Sequence, residues 1–245
     1  MSAARPLPPT QLHLYLVDPS TLLDPAVVRR SLAVLTPEEQ VRHDRFRFPE
    51  HRHHYLVTRA LVRTTLSRYV ARGPADWRFT QNSHGRPELP EPELSWLRFN
   101  LSNTDGLVAC VVARDREVGV DVEDTQRHGN QEGVAERFFA PAEVRALHAL
   151  PEAAQHRRFF EYWTLKESYI KARGLGLSIP LGKFAFNLAG PVPGLHCEDE
   201  LGDRGEDWQF QQLWPTPRHA AAVAIRRGSD APLTLHTEWV RPLVD

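Results

Sequence analysis

Two stretches, Gly119-Val-Asp-Val-Glu-Asp124 and Trp163-Thr-Leu-Lys-Glu-Ser-Tyr-Ile-Lys171, hold the side chains of this chain best suited to chemistry. Alternate residues of a strand face opposite ways, so Asp121 and Glu123 share one face while Val120 and Val122 share the other. Asp124 follows at once, and acids this crowded repel one another unless a cation or basic groups compensate. In the second stretch Glu167 and Lys171 stand four apart, one turn from each other on a helix. Carboxylates with no neighbouring Cys or His argue against zinc. They suit a hard cation such as Mg²⁺, which takes one or two carboxylates and completes its shell with phosphate and water.

Each feature also has a plainer account. Asp121 and Glu123 fit the solvent side of a half-buried edge strand, and Glu167 with Lys171 fits an ordinary helix pair worth about 0.2–0.5 kcal/mol. Of thirty basic residues only Lys166, Lys171 and Lys183 are lysine, and two of these fall in the second stretch. In a chain so biased to Arg, that placement suggests that the ammonium group itself matters there. Lys166, on the other flank of the helix's apolar stripe of Phe159, Trp163 and Ile170, is expected to be solvated. Between Arg42 and Arg72 eight arginines accompany two acids. They read either as a solvated helix face or as forks for a ligand with several phosphates. The spacing of His51, His53 and His54 does not put two imidazoles at i and i+4, so no metal site is expected there. Phe99-Asn-Leu-Ser102 with Asn103-Thr104 gathers small hydrogen-bonding side chains that suit an oxyanion or simple turn chemistry.

The elements that must position these groups follow from pattern. Strands are expected over 12–17, 77–80, 97–101, 107–113 and 118–122 in the first part of the chain. Later ones are expected over 183–188, 208–213, 220–225 and 233–240. Thr36-Pro-Glu-Glu39 starts a helix running towards Phe46, and a longer one spans 51–71. Further helices are expected over 131–139, 141–150 and 155–173, the last closed by Gly174. The Pro-, Gly- and acid-rich segment 190–205 reads as a surface excursion. Helices followed by a small, mostly antiparallel sheet occur twice, an α+β pattern. The two halves are placed at 1–117 and 118–245 of a single compact unit.

With 245 residues, 41% of them hydrophobic, the chain can bury one large core or two small ones. A net charge of −1 argues against a nucleic-acid coat or a polybasic membrane-surface protein. No apolar stretch approaches the roughly 20 residues of a spanning helix, and residues 1–9 lack the core of a secretory signal. Two cysteines make no disulfide framework, and Cys110 reads as a buried hydrophobe. A monomer of the reduced cytoplasm, without nucleic-acid or membrane partners, is expected.

The ordered set of motifs resembles the 4′-phosphopantetheinyl transferases, in particular the long, two-half type that activates carrier proteins of peptide and polyketide synthesis. It comprises Thr36-Pro-Glu38 with a basic helix, Gly85-Arg-Pro87, Phe99-Asn-Leu-Ser102, Gly119-Val-Asp-Val-Glu-Asp124, Arg137-Phe-Phe139, and Trp163 to Lys171 with Gly174-Leu-Gly-Leu177. The resemblance implies transfer of the phosphopantetheine arm of coenzyme A to a serine of an apo acyl- or peptidyl-carrier protein, releasing adenosine 3′,5′-bisphosphate. It implies two similar α+β halves related by a pseudo-two-fold axis, with coenzyme A in the cleft between them. Asp121, Glu123 and Glu167 would hold Mg²⁺ on the pyrophosphate, with Glu167 also the candidate base. Lys171 would pair with phosphate oxygens, and Arg86 and Ser102 would meet the nucleotide. Two departures fall on the nucleotide side. Asn103 stands where a His is usual, and Glu39 stands where a Lys is common, which leaves Arg42 and Arg45 as substitutes. A non-catalytic coenzyme A- or carrier-protein-binding module would be expected to lose the carboxylates first, and all three are present.

Overall fold

The computed structural model describes residues 4–127, 129–228 and 232–244. Residues 1–3 of the N-terminal segment and of the first expected half, residues 128, 229–231 and 245 of the second, and the side chain of Leu177 lie outside the described parts. The first elements are β1 (Gln11–Val17), α1 (Pro25–Ala33), α2 (Pro37–Asp44), α3 (Pro49–Leu66), β2 (Thr80–Gln81), β3 (Pro87–Glu88), β4 (Leu97–Thr104) and β5 (Leu107–Arg114). They are followed by β6 (Val118–Asp124), α4 (Gln131–Phe138), α5 (Pro141–His148), α6 (Glu152–Arg173), β7 (Phe184–Asn187), β8 (Gly194–Cys197), β9 (Trp208–Thr216), β10 (His219–Arg226) and β11 (Thr234–Trp239). The fold is mixed α+β, as the alternation of patterns indicated.

Two principal sheets form, in the orders β11-β1-β5-β4 and β6-β10-β9. Alternation along each strand builds layers. Leu12, Leu14 and Leu16 of β1 and the odd-numbered residues of β5 pack against Val118, Val120 and Val122 of β6 and Ala221, Val223 and Ile225 of β10. The opposite face of the first sheet, including Tyr15, Val17, Val108 and Val112, packs on Val57, Leu61 and Leu66 of α3. The opposite face of the second, through Ala220, Ala222 and Ala224, packs on Leu165, Tyr169 and Ala172 of α6. The order is therefore helix, sheet, sheet, helix.

The sheets are fastened where β4 meets the free edge of β6. An edge strand leaves every second N–H without a ladder partner. Here Val120 N donates to Asn100 Oδ1 at 3.0 Å, Val122 N to Ser102 Oγ at 3.2 Å, and Asp124 N to Thr104 Oγ1 at 3.1 Å. The small polar side chains of β4 thus occupy the place of a neighbouring strand's carbonyls.

Local signals account for most boundaries. Thr36 and Glu39 form a reciprocal capping box at the start of α2. Gly174, with φ of +67°, closes α6 in the left-handed conformation that glycine adopts without steric cost. Several elements differ from the pattern-based expectation. Helix α1 went unread, although Asp24-Pro25 is a start signal and Asp24 Oδ1 accepts from Ala26 N at 2.7 Å. Helix α3 ends at Leu66, where Trp77 reaches back to donate to Ser67 Oγ, and the strand expected at 77–80 shrinks to Thr80–Gln81. Strand β11, read with the second half, pairs in parallel with β1 in the first sheet. The expected excursion at 190–205 carries β8 and the buried Asp203, which accepts from Tyr169 Oη, Trp208 Nε1 and Arg173 Nη1 at 2.8, 3.0 and 2.6 Å.

His13, 4% exposed on β1, lies 2.6 Å from Tyr69 Oη, and burial pushes its pKa down to about 4. A histidine kept neutral in the fold but protonated near 6.5 once unfolded stabilises the protein above that value. The contribution is lost as pH falls from 6.5 towards 4. Thermal melts between pH 7 and pH 4 are expected to fall more steeply for the wild type than for His13→Gln; parallel curves would contradict the assignment.

Candidate active site

The face of β6 that looks towards α6 carries Gly119, Asp121 and Glu123. A Cβ on Gly119 would lie 2.1 Å from the Ser168 carbonyl oxygen and 2.4 Å from Ala172 N, so strand and helix touch where this residue has no side chain. That approach brings Asp121 to Lys171: Lys171 Nζ donates to Asp121 Oδ1 at 2.6 Å and to Ser102 Oγ at 2.9 Å. Ser102 in turn donates to Asp121 Oδ1 at 3.1 Å. Asp121 is 4% exposed, and its second oxygen, Oδ2, is buried with no hydrogen-bond partner. Glu123 accepts from the Trp163 indole at 2.9 Å and has Arg127 at 3.7 Å.

These groups line a cleft of about 630 Å³ that includes Ser102, Asn103, Asp121, Glu123, Trp163, Glu167 and Lys171. A second hollow of about 260 Å³ shares Glu167 and Lys171 and is lined on its far side by His84, Arg86 and Asn100. Negative charge in the cleft is short of compensation. Burial, with the charges of Asp121 and Glu123 adding to it, pushes the Glu167 carboxyl up to about 7, and Lys171 only partly opposes this. Burial and Asp121 raise Glu123 as well. Among the described residues no three acid, His or Cys side chains stand close enough to form a metal cluster by themselves. The donor set is open rather than a closed cage.

Comparison with known proteins completes the assignment. The profile described as 4′-phosphopantetheinyl transferase superfamily matches residues 117–224, and that described as 4′-phosphopantetheinyl transferase, N-terminal, matches 25–115. The 4′-phosphopantetheinyl transferase HetI of Nostoc sp. is 38% identical over 194 residues, covering 79% of each chain. The chain belongs to the 4′-phosphopantetheinyl transferase superfamily. The transferase Sfp of Bacillus subtilis is 33% identical over 65% of this chain and 69% of its own. A phosphopantetheinyl transferase of Thraustochytrium sp. is 29% identical over 85% and 76%. The chain is accordingly an enzyme of phosphopantetheinyl transfer.

Of the positions singled out by this phosphopantetheinyl transferase sequence, Ser102, Asn103, Asp121, Glu123, Glu167 and Lys171 converge in one cleft, and Arg86 lines the adjoining hollow. Arg86 Nη1 donates to the Ala172 carbonyl at 2.8 Å and Asn82 Nδ2 to that of Gly174 at 2.7 Å, so the 82–87 loop grips the C-terminal end of α6. Arg42 and Arg45 are exposed and line neither space; the Arg42 guanidinium stands 5.5 Å from the Tyr55 ring centre. Other arginines of the basic run are held by acids: Arg59 and Arg63 by Glu39, Arg68 by Glu238 and Arg72 by Glu91.

Two readings change. Asp124, grouped in sequence with the other acids, lines the same cleft, but Arg218 pairs with it at 2.5 Å and compensates its charge. Lys166 is not solvated but fully buried, 2.7 Å from Glu143 and donating to the Leu181 and Phe184 carbonyls at 2.8 Å each. Burial pushes Lys166 down and Glu143 up, and each opposes the other's shift. Trp163 belongs to the apolar stripe of α6 and also orients Glu123 through its indole N–H, a donor visible in the sequence four residues before Glu167.

Gly119→Ala is expected to force α6 away from β6, costing about 1–3 kcal/mol by overpacking. Because small misplacements of reacting groups cost up to about 10²-fold, transfer should fall about tenfold or more even where the protein remains folded. Chemical denaturation and an intact-mass transfer assay check the two parts, and a wild-type rate would refute the close-contact role.

Proposed function

We propose that this enzyme moves the 4′-phosphopantetheine arm of coenzyme A to a serine of an apo acyl- or peptidyl-carrier protein, releasing adenosine 3′,5′-bisphosphate, with Asp121, Glu123, Glu167 and Lys171 as its working residues. The observation that carries this assignment is the buried, unpartnered Asp121 Oδ2 beside two carboxyls of raised pKa and one ammonium. A site with this excess of acid and this unpartnered oxygen suits a hard cation that takes its remaining ligands from phosphate and water. Asp121, Glu123 and Glu167 would hold that Mg²⁺, which when bound supplies charge neutralisation for the pyrophosphate oxygens. The cleft has the volume of a small-molecule site, and coenzyme A is assigned to it and to the adjoining hollow.

The protein's own part in the step is positioning and charge. The serine hydroxyl of the carrier protein forms the new O–P bond while the bond to the nucleotide phosphate breaks. Lys171 donates to the pyrophosphate oxygens, exchanging one anionic partner for another. Glu167, its carboxyl pushed up to about 7 by burial, accepts the serine proton directly or through water. Arg86 and Asn103 flank the path assigned to the nucleotide, whereas Arg42 and Arg45 would have to reach it from the exposed end of α2. The sheet orders β1-β5-β4 and β6-β10-β9, each with its helix outside, support two related α+β halves meeting at residues 117–118. Strand β11 is the part of the second half that returns to the first.

The direct test is the intact mass of an apo carrier protein after incubation with coenzyme A, Mg²⁺ and the enzyme. Addition of one phosphopantetheine is expected, and no addition across a panel of carrier proteins would overturn the assignment. Glu167→Gln and Asp121→Asn remove charge at nearly constant shape and are expected to lower transfer by about two orders of magnitude or more with the fold intact. Lys171→Arg should lose about tenfold or more, because a planar fork replaces a compact point charge in a packed corner. Near wild-type transfer by Lys171→Arg, with unchanged dependence on coenzyme A, would return Lys171 to the status of an ordinary helix partner.

A further inference from the structure

We infer that Ser102 is a positioning residue for the cation-binding carboxylate rather than a contact to the nucleotide. The argument is a count of hydrogen-bonding capacity. A serine hydroxyl has one proton to give and two lone pairs to receive. Ser102 Oγ receives from Val122 N at 3.2 Å and from Lys171 Nζ at 2.9 Å, and it gives to Asp121 Oδ1 at 3.1 Å. The roles are forced: a backbone N–H and an ammonium can only donate, and a carboxylate can only accept. With the residue 7% exposed, its hydroxyl is committed on every side and has nothing left for a phosphate.

The consequence falls on Asp121. Its Oδ1 is held by Ser102 and Lys171, which leaves Oδ2, buried and unpartnered, as the oxygen with capacity for a cation. When Lys171 donates to phosphate, Ser102 is the contact that keeps Asp121 in place. Because Ser102 also receives the Val122 N–H, the rotamer of the carboxylate is tied to the fastening between the two sheets. This inference rests on the reading of the cleft as a cation and coenzyme A site.

The test separates cation from nucleotide. Mn²⁺ binding to the whole protein is followed by electron paramagnetic resonance, and adenosine 3′,5′-bisphosphate binding is measured by calorimetry without metal. Ser102→Ala is expected to raise the Mn²⁺ Kd about tenfold while the bisphosphate Kd stays within about twofold, and Ser102→Thr, which keeps the hydroxyl, to restore Mn²⁺ affinity. Asn100→Ala removes the neighbouring rung without touching Asp121 or Lys171; it should lower Tm and leave the Mn²⁺ Kd unchanged. An unchanged Mn²⁺ Kd in Ser102→Ala, or a selective loss of bisphosphate binding, overturns the inference alone. A wild-type protein that binds bisphosphate but no Mn²⁺ overturns the cation reading and this inference with it.

Discussion

The exposed edge of β6 is the constraint on which the rest of this structure turns. Three of its backbone N–H groups face away from β10, and burying them unpaired would cost about 1–3 kcal/mol each. Asn100, Ser102 and Thr104, alternate residues of β4, receive all three. The spacing of the rungs fixes the register of β6 against β4, and register decides which residues face the helix. A slip of one residue would turn Asp121 and Glu123 into the space between the sheets and send the valines to the cleft.

Against this strand lies α6, held from behind as firmly as in front. The Lys166–Glu143 pair is buried, with Lys166 against the Phe139 and Phe184 rings and the Leu181 and Phe184 carbonyls. Breaking such a pair is costly because it leaves one charge buried alone. The two lysines of α6 therefore have opposite surroundings. One closes a dry internal contact, and the other reaches a wet cleft beside Asp121. A compact ammonium suits both places better than a planar fork, which gives a physical reason for lysine in a chain that otherwise writes its positive charge as arginine.

Electrostatic contrast marks the cleft. Asp124 lies in the same acidic run as Asp121 and Glu123, yet Arg218 neutralises it and holds its pKa down. Glu123, with Arg127 at 3.7 Å, and Glu167, near Lys171, are compensated only in part, and burial raises both. Four of the eight arginines of the basic run are spent on acids, so positive charge is abundant in the molecule but scarce where the carboxyls converge.

Several features of this protein were already determined by the sequence. Alternation placed Asp121 and Glu123 on one face of a strand and the valines on the other, because side-chain direction in a strand is a local property. Helical spacing did the same for Glu167 and Lys171, and the capping signals at Thr36 and Gly174 set helix ends through short-range hydrogen bonds. The ordered motifs carried the family, since each kept its place in the chain. Tertiary structure decided the rest. Whether Lys166 was solvated or buried depended on Glu143, more than twenty residues away. Whether the charge of Asp124 was compensated depended on Arg218, from the turn between β9 and β10. The return of β11 to the first sheet, and the use of Asn100, Ser102 and Thr104 as rungs for β6, depended on which edges remained unpaired after the sheets formed. Local pattern fixes where a side chain points, but its partner is chosen by residues that only the completed packing brings within reach.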